Sequence, residues 1–390
     1  MHFAPAAGRR VAVVIEASNA YARGLLAGIH RHVREHEPWT IFLPEHGRGF
    51  PPLEPLARWR GDGVIARIET AAIARTLAAL RRRQKLAIVD VSAGRLLSDT
   101  PYVETDDAAI ARLAAEHFIE RDFRHFAYLG DDRFRWSQNR RDAFVTAVAG
   151  TGRSVAVYRS PGRRGTRPAD DDEPIEAWLG ALPKPVGLLA CYDIRGRQAL
   201  DACRRAGIAV PDEVAVLGVD DDELLCGLAT PPLSSVIPDA VGAGRLAAGL
   251  LERLMRGERL EKDEWLLPPL GIASRQSSDA LAIDDLLVVA AVRFIRERAT
   301  AGLKVQDVVR KLDTTRRILD GRFLARLGHS PHEEIARHQF RRVEQLLAET
   351  DLPLATVAER SGFRHAEYMT VAFTKRYGTP PSRWRQARRR

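Results

Sequence analysis

The sequence predicts an α/β region of two lobes built on parallel sheets, followed by an all-α region that contains two helix-turn-helix motifs. Three observations lead to this prediction. Short β-branched runs alternate with helical stretches over residues 9–275, whereas the apolar spacing becomes wholly helical after about residue 276. The excess of basic residues also lies in the second region, so the two regions differ in charge as well as in pattern.

The first region is predicted to alternate strands with helices. Its strands are continuous apolar runs, which are typical of strands buried on both faces of a parallel sheet. The predicted strands are Val11–Ile15, Gly63–Ala66, Leu86–Val89, Phe126–Leu129, Val155–Tyr158, Val186–Ala190 and Val214–Leu217. The predicted helices are Tyr21–Glu35, Ala71–Arg83, Asp107–Arg121, Asn139–Ala149, Glu173–Leu182, Arg195–Ala206 and Gly242–Met255. So many units fit two sheets better than one, and the Gly- and Pro-rich segment Arg159–Asp172 is predicted to be an exposed loop.

The boundary between the two regions is predicted where the composition turns polar, near Ser274–Asp279. We therefore expect one domain over residues 1–275 and another over residues 276–390. Residues 281–390 contain 22 basic and 13 acidic residues, which accounts for the whole net charge of +9. A basic helical domain is suited to binding phosphate groups. For the last three arginines, the alternative is a solvated tail.

The first helix-turn-helix motif and a long connecting helix open the second domain. The predicted helices are Ile283–Arg298, Val305–Leu312, Thr315–Arg326 and Pro331–Glu349. Ser330 is suited to cap the long helix, because a proline follows it and Glu333 stands three residues later.

The second helix-turn-helix motif is predicted over residues 354–376. Leu354–Ser361 has the spacing of a short amphipathic helix, and His365–Arg376 follows it after a tight turn. Ala358 is small enough for the two helices to approach, and Gly362 can take the left-handed conformation that the turn needs. A helix held in this way can lie in the major groove of DNA.

Several classes of protein are disfavoured by what the sequence lacks. Cys191, Cys203 and Cys226 form no CxxC pair and have no histidine cluster near them, so neither disulfides nor a zinc site is expected. No apolar run reaches membrane-spanning length, and Val11–Ile15 is too short for an export signal, so a cytoplasmic protein is expected. No phosphate-binding loop, nucleophile elbow or metal triad appears, so we expect neither catalysis nor a cofactor.

Residues 281–388 resemble the AraC-type DNA-binding domain. The resemblance is carried by Thr315–Leu319, Arg322–Phe323, Gly328–Pro331, Arg341–Leu347, Val357–Ala358, Ser361–Phe363, Tyr368, Phe373 and Tyr377–Pro380. The chain departs from this family at Asp313, which replaces a common turn glycine, and at Gly321 and Val371, where arginine is frequent. The resemblance implies binding to double-stranded promoter DNA and contact with RNA polymerase.

Residues 9–275 resemble the sugar-sensing domain of LacI-type repressors, which is itself similar to periplasmic sugar-binding proteins. The resemblance is carried by Ala20–Tyr21, Thr105–Asp107, Arg140–Phe144, Gly218–Asp221 and Pro232–Ser235. In LacI-type repressors the DNA-binding part comes first, whereas here it comes last. That order, with Trp136 ahead of Arg140 and the run Leu266–Leu270, is similar to the xylose-responsive activators of bacteria. The resemblance implies a homodimer that senses D-xylose and switches on genes of xylose uptake and catabolism.

The candidate sugar-binding residues combine a donor fork, carboxylates and aromatic plates, which suit adjacent hydroxyl groups and apolar C–H faces. They are Tyr21, Asp106, Trp136, Arg140, Tyr192 and Asp220. Arg140 and Asp220 follow the ends of parallel strands, where open α/β sheets bind ligands. The pairing of these two residues rests on the resemblance, and Tyr192 stands where LacI-type sensors often have asparagine. The structural alternatives are an ion pair for Arg140, helix capping or contact with solvent for Asp220–Asp222, core or lobe-interface packing for Trp136 and a hinge role for Asp106.

The candidate DNA-binding residues lie in and beside the second helix of each motif. They are Arg316, Arg317, Arg322, Arg364, His365, Glu367, Lys375 and Arg376. Those early in the helices are expected to read bases, and Arg322, Lys375 and Arg376 are expected to touch phosphates. For each single residue the alternative is a solvated helix face. Leu319, Phe323, Phe363, Phe373 and Tyr377 are predicted to be core.

Two other classes of function remain as alternatives, besides a regulator of a different sugar. One is a solute-binding protein, which the basic paired helices disfavour. The other is a cysteine-based nucleic-acid enzyme, which requires a reactive thiol with activating neighbours, and none is evident beside the three cysteines.

Overall fold

The computed structural model describes residues 8–44, 53–159, 172–279 and 285–388 of the chain. The chain divides into two compact units, Met1–Leu281 and Ala282–Arg390. The loop predicted over Arg159–Asp172 lies almost wholly outside the described residues, and so do Arg389 and Arg390 of the basic tail.

The first unit alternates strands and helices along its length. Its strands are β1 (Arg9–Val14), β2 (Trp39–Phe42), β3 (Gly63–Ala66), β4 (Ala87–Asp90), β5 (Tyr102–Thr105), β6 (His125–Leu129), β7 (Val155–Val157), β8 (Val186–Ala190), β9 (Val214–Val219), β10 (Ser234–Ile237), β11 (Glu264–Leu267) and β12 (Gly271–Ala273). Its helices are α1 (Ala20–Glu35), α2 (Leu53–Arg58), α3 (Ala71–Arg83), α4 (Asp107–Ile119), α5 (Arg135–Ala149), α6 (Asp172–Ala181), α7 (Asp193–Arg205), α8 (Glu223–Leu228) and α9 (Ala240–Met255). A short 3-10 turn, Gln276–Ser278, ends it.

Within the described residues, these strands form two six-stranded sheets. The first sheet has the order β11-β5-β4-β3-β1-β2, and all its strand pairs are parallel. The second has the order β12-β10-β9-β8-β6-β7, and β12 alone runs antiparallel to its neighbour. The chain crosses between the sheets after β5, β10 and β11. The first lobe is therefore β1–β5 and β11 with α1–α3 and α9, and the second lobe contains the remaining elements. This confirms the predicted two-lobed α/β fold.

Helices α1 and α9 pack unusually closely in the first lobe, although some 200 residues separate them in sequence. A Cβ atom on Gly28 would lie 2.1 Å from the carbonyl oxygen of Val241, and one on Gly244 would lie 2.1 Å from that of Leu25. Only glycine allows backbones to come so near. Both helices cover the core around Val11, Val13 and Ile15, so they anchor the returning chain to the first sheet.

The strands that the sequence did not predict stand mainly at the crossings between the lobes. β5, β10 and β11 carry polar side chains among their apolar ones, so they lack the continuous apolar run that identifies a buried strand. The predicted domain boundary falls at residues 275/276, whereas the compact unit extends to Leu281. The Ser277 hydroxyl donates to the carbonyl of Val216 (2.6 Å), and Ser278 pairs with His117 (2.8 Å), which attaches residues 276–278 to the second lobe.

The second unit is helical throughout its described length. Its helices are α10 (Leu286–Arg298), α11 (Val305–Lys311), α12 (Arg316–Leu327), α13 (Pro331–Glu349), α14 (Leu354–Arg360), α15 (Ala366–Tyr377) and α16 (Pro381–Arg388), and a 3-10 turn, Ala299–Ala301, follows α10. α13 joins two separate cores, because Ile335 packs with the first motif and Phe340 with the second. The capping box of Ser330 and Glu333 is present as predicted.

The turns of the two helix-turn-helix motifs adopt left-handed backbone conformations. Asp313 has φ 46° in the first turn and Gly362 has φ 80° in the second. A Cβ atom on Gly362 would also lie 2.5 Å from the carbonyl oxygen of Ala299. The prediction that Gly362 makes the second turn is therefore confirmed, and aspartate replaces glycine in the first turn because it tolerates this conformation.

Candidate functional site

A cavity lies between the two lobes of the first unit. The first lobe supplies Asn19, Tyr21, Arg67, Glu104 and Thr105, and the second supplies Trp136, Arg140, Tyr192 and Asp220, with Pro238 at a crossing. Arg67 follows β3, Glu104 and Thr105 end β5, and Asp220 follows β9. The cavity therefore lies at the carboxyl ends of both sheets, which is where open parallel sheets bind ligands.

The wall formed by the first lobe is a network of buried charges. Arg67 donates to Glu16 (2.8 Å) and to Glu69 (2.6 Å), and its side chain is only 6% exposed. The hydroxyl of Tyr21 donates to Oε1 of Glu104 (2.9 Å), and so does the backbone N–H of Thr105 (3.0 Å). Burial raises the pKa of Glu104 to about 7. A carboxyl group in this position can accept or donate a hydrogen bond near neutral pH.

The wall formed by the second lobe combines a guanidinium group with aromatic rings. Arg140 donates to Asp107 through Nε (2.9 Å) and donates to the backbone carbonyl of Cys191. Its guanidinium lies 5.5 Å from the ring centroid of Trp136, and Trp136 in turn meets Tyr192 edge-on at 5.5 Å. Arg140 is thus an ion-pair partner that also lines the cavity.

Five of the six predicted sugar-binding residues meet in this cavity: Tyr21, Trp136, Arg140, Tyr192 and Asp220. The sixth, Asp106, does not line it. Its carboxylate accepts from the N–H of Ala109 (2.8 Å) as the N-cap of α4, so its side chain is held at the start of the helix. The two residues before it, Glu104 and Thr105, face the cavity instead.

Several cavity residues were not predicted from the sequence, notably Arg67 and Glu104. Arg67 directly follows the apolar strand Gly63–Ala66, and a charged residue at the end of a buried strand was the available signal. Glu104 lies inside β5, which was not predicted, so no comparable signal pointed to it.

The three cysteines are all buried. Burial raises the pKa of the thiols of Cys191 and Cys203 to about 12. The thiolate is the reactive form of cysteine, and its population at neutral pH falls as the pKa rises. These environments disfavour the alternative of a cysteine-based enzyme.

The eight predicted DNA-binding residues are all exposed in the second unit: Arg316, Arg317, Arg322, Arg364, His365, Glu367, Lys375 and Arg376. Arg316 and Arg317 open α12, and Glu367 is the second residue of α15. Three of the arginines have contacts within the unit. Arg316 and Arg322 pair with Asp320 (3.4 Å) and Asp285 (3.1 Å), and the guanidinium of Arg376 lies over Phe340 (5.4 Å).

The exposed face of each second helix also carries apolar side chains. Ile318 and Leu324 on α12 are 46% and 65% exposed, and Tyr368 and Val371 on α15 are 63% and 70% exposed. Such side chains can pack against thymine methyl groups in the major groove. Leu319, Phe323, Phe363 and Phe373 are buried and Tyr377 is half-buried, as expected of core residues.

The connecting helix α13 sets the distance between the two motifs. Its 19 residues correspond to a length of about 28 Å at about 1.5 Å per residue. One turn of DNA rises about 34 Å, so the second helices of the two motifs, joined by a helix of this length, can reach successive major-groove segments on one side of a duplex.

Among the described residues, none of the helices has the length and apolarity needed to cross a membrane.

Two protein families match this chain. Residues 115–278 match the periplasmic binding protein-like domain, and residues 308–387 match the helix-turn-helix domain. The xylose operon regulatory protein of Haemophilus influenzae is 28% identical over 386 residues, covering 96% of this chain and 98% of its own. That of Escherichia coli K12 is 29% identical over 384 residues, covering 96% of both chains.

A solved structure agrees with these relatives. The structure of a xylose-binding transcription activator is 29% identical, with a TM-score of 0.79, and covers 97% of this chain and 98% of its own. The chain is therefore a DNA-binding transcription regulator with a periplasmic-binding-protein-like sensor unit ahead of a helix-turn-helix unit. Over nearly its whole length, it is a homologue of the xylose operon regulatory proteins.

Proposed function

We propose that the cavity between the lobes binds D-xylose and that the bound sugar turns the protein into an activator of genes for xylose uptake and catabolism. One observation carries this proposal. The cavity brings two arginines, two carboxyl groups and three aromatic rings together from both lobes. The relatives that share the order of the two domains are xylose regulators, which supports this sugar over others.

The lining residues match the chemistry of a small sugar. Arg67 and Arg140 can donate to hydroxyl oxygens, and Glu104 and Asp220 can accept from hydroxyl hydrogens. Trp136 and Tyr192 can pack against the apolar C–H face of the ring. Because these groups come from opposite lobes, a sugar that touches both favours the arrangement in which the lobes are close.

Calorimetry on the full chain tests the identity of the sugar. D-xylose, L-arabinose, D-ribose and D-glucose are titrated into the protein, and D-xylose is expected to bind tightest. Asp220→Asn is expected to weaken that binding at least tenfold, because it removes a charged acceptor. Asp132→Asn alters an exposed carboxylate in the same lobe (58% exposed) and serves as the matched control. Preference for another sugar would identify a regulator of that sugar, and equal binding by Asp220→Asn would place the sugar elsewhere.

The DNA target is proposed to be double-stranded promoter DNA, read by α12 and α15. Residues early in these helices, Arg316, Arg317 and Glu367, face bases in this proposal, with Arg364 and His365 beside them. Arg322, Lys375 and Arg376 face phosphates. The experiment is a titration of the protein into a fluorescently labelled duplex from the promoter next to its own gene, followed by fluorescence anisotropy. A scrambled duplex serves as the control, and equal affinity for both duplexes would reject sequence-specific binding.

The proposal extends to partners and place of action. A homodimer in the cytoplasm that contacts RNA polymerase fits an activator of this kind. Leu224 and Leu228 on α8 are 74% and 81% exposed and stand one helical turn apart, so they offer an apolar contact for a second copy. Sedimentation analysis of Leu228→Asp against the parent checks this contact. A dimer that persists unchanged in the variant would move the interface elsewhere.

A further inference from the structure

Three consecutive aspartates, Asp220–Asp222, connect β9 to α8. Each has a different neighbourhood. Asp220 lines the cavity, Asp221 forms an ion pair with Arg275 (2.8 Å), and Asp222 forms one with Arg23 (2.7 Å). We propose that this aspartate triplet is the element that transmits sugar binding to the chain segment leading to the DNA-binding unit. The inference rests on the proposed function and names the residues that regulate it.

The triplet is held as one rigid piece. The backbone N–H groups of Asp220 and Asp222 donate to the carbonyl of Val236 (3.1 Å) and the carboxylate of Asp193 (2.7 Å). The Ser235 hydroxyl donates to Asp193 (2.6 Å) and accepts from the N–H of Asp221 (3.0 Å). Asp220 and Asp221 also have positive φ values of 112° and 49°, which persist only where the surroundings hold the backbone firmly. A displacement of Asp220 therefore moves its two neighbours.

The partner of Asp221 lies on the segment that leaves the first unit. Arg275 directly precedes the 3-10 turn Gln276–Ser278, and the second unit begins at Ala282. Arg275 also donates to the carbonyl of Leu233 (3.0 Å), and its own carbonyl accepts from Ser234 (2.8 Å). The ion pair with Asp221 therefore connects a residue next to the cavity to a segment that leads along the chain to the helix-turn-helix motifs.

The partner of Asp222 belongs to the opposite lobe. Arg23 lies on α1 of the first lobe, and Asp222 precedes α8 of the second. This ion pair spans the two lobes, so it contributes only when they are close. Asp222 also caps α8 through Leu225 (3.3 Å). Capping alone needs one carboxylate, whereas three adjacent carboxylates repel one another and each here has a separate environment. The arrangement is consistent with three roles: binding at Asp220, transmission at Asp221 and closure at Asp222.

The test separates binding of sugar from its effect on DNA. D-xylose affinity is measured by calorimetry on the full chain, and promoter affinity is measured by anisotropy with and without D-xylose. In the parent, D-xylose is expected to change promoter affinity by about 5- to 150-fold, the usual range for allosteric coupling. Asp221→Asn and Arg275→Gln are expected to bind D-xylose within about twofold of the parent, but to lose the effect on DNA. Asparagine also tolerates the left-handed backbone at position 221.

Two further variants sharpen the assignment. The double variant Asp221→Asn/Arg275→Gln is expected to lose no more coupling than either single variant, because both remove the same pair. Arg23→Gln is expected to weaken D-xylose binding by up to about fivefold, as for a partly exposed ion pair, while the effect on DNA remains. Arg205→Gln breaks an exposed ion pair with Glu176 (2.9 Å) in the same lobe and is the control that leaves both measurements unchanged.

The outcomes distinguish this inference from the proposed function. A parent protein that binds no sugar, or whose DNA affinity ignores the sugar, would reject the proposed function itself. A responsive parent with an equally responsive Asp221→Asn would overturn the triplet as transmitter. Loss of sugar binding in Asp221→Asn as severe as in Asp220→Asn would also overturn it, because residue 221 would then belong to the binding site. Circular dichroism checks that each variant is folded. If one of Asp221→Asn and Arg275→Gln does not fold, the other variant still decides the test.

Discussion

Arginine occupies opposite environments in the two units of this protein. In the sensor unit, the side chains of Arg67 and Arg140 are 6% and 5% exposed and are ion-paired with carboxylates. In the helix-turn-helix unit, those of Arg316 and Arg322 are 62% and 52% exposed. A buried guanidinium is tolerated in the fold only because its carboxylate partners compensate for the water it has lost. An exposed guanidinium keeps its water and can exchange it for a phosphate or a base.

The cavity and the exposed faces of α12 and α15 are expected to differ in how well they tolerate substitutions. The cavity is part of the fold that holds it, so its residues serve stability and recognition together. The surface of the recognition helices is separable from the core beneath it, because Leu319 and Phe323 pack below while the charged residues face outward. Substitutions in the cavity are therefore expected to affect both folding stability and sugar binding. Substitutions on the exposed faces of α12 and α15 are expected to affect DNA binding alone.

The largest expected effect comes from removing a buried arginine. Arg140→Ala leaves the Asp107 carboxylate buried without its partner, and breaking a buried ion pair in this way costs about 3–5 kcal/mol in the free energy of unfolding. Arg317→Ala, the exposed counterpart, is expected to change it by less than about 0.5 kcal/mol. Urea unfolding of both variants, followed by tryptophan fluorescence, checks the contrast. Equal losses would remove the distinction between the two environments.

The free energy of unfolding of the sensor unit is also expected to depend on pH, because the carboxyl group of Glu104 is buried there. Burial raises the pKa of Glu104 to about 7, above the ordinary value of 4.5 for glutamate. Between these values the unfolded chain releases the proton that the folded chain retains, so the unfolding free energy falls as pH rises from about 4.5 to 7. The loss attributable to Glu104 is about 3 kcal/mol at most.

The variant Glu104→Gln isolates this contribution. Glutamine keeps the shape of the protonated acid without its titration, so the fall in stability between pH 5 and pH 8 is expected to be shallower than in the parent. Burial raises the pKa of Asp90 to about 7 as well, so part of the slope remains. Urea unfolding at a series of pH values measures the slope, and an unchanged slope in Glu104→Gln would contradict the assignment.

A smaller effect is expected on DNA binding from an early recognition-helix arginine. Arg316→Ala is expected to weaken the free energy of binding to the preferred promoter by about 1–3 kcal/mol. The loss on altered duplexes is expected to be much smaller, because a base contact discriminates among sequences. Its ion pair with Asp320 (3.4 Å) is long and exposed, so DNA can replace it. Anisotropy titrations against a set of single-base variants measure the discrimination. A uniform loss across all duplexes would make Arg316 a phosphate contact instead.

The smallest effect is expected from a late, exposed lysine. Lys375→Gln is expected to weaken binding to all duplexes equally and to reduce the slope of log affinity against log salt concentration by about one. Folding stability should stay within about 0.5 kcal/mol of the parent, in line with the exposed position. Titrations from low to moderate salt measure the slope. A sequence-selective loss would assign Lys375 to base reading.

Much of the architecture was readable from local pattern. The strands Gly63–Ala66 and Val186–Ala190 and the helices Ala71–Arg83 and Pro331–Glu349 were predicted with the bounds that the structure has. Their apolar periodicity and caps are properties of neighbouring residues. The strands at the crossings, β5, β10 and β11, were missed, because long-range pairing rather than an apolar run holds them.

For the cavity, the sequence and its family resemblance named Tyr21, Trp136, Arg140, Tyr192 and Asp220, since these follow strands or match a known pattern. Asp106, which was also named, caps α4 and is not among the cavity residues, whereas Arg67 and Glu104 line the cavity and were not named. The order of the two domains, the alternation of their elements and the concentration of charge follow from the sequence alone. Which buried charges face one another follows from the fold in three dimensions. Arg67 and Glu16 lie 51 residues apart, and Arg275 and Asp221 54 apart. A pattern among neighbouring residues cannot show which distant residues come into contact, because the strands that carry them are brought together by the packing of the whole lobe.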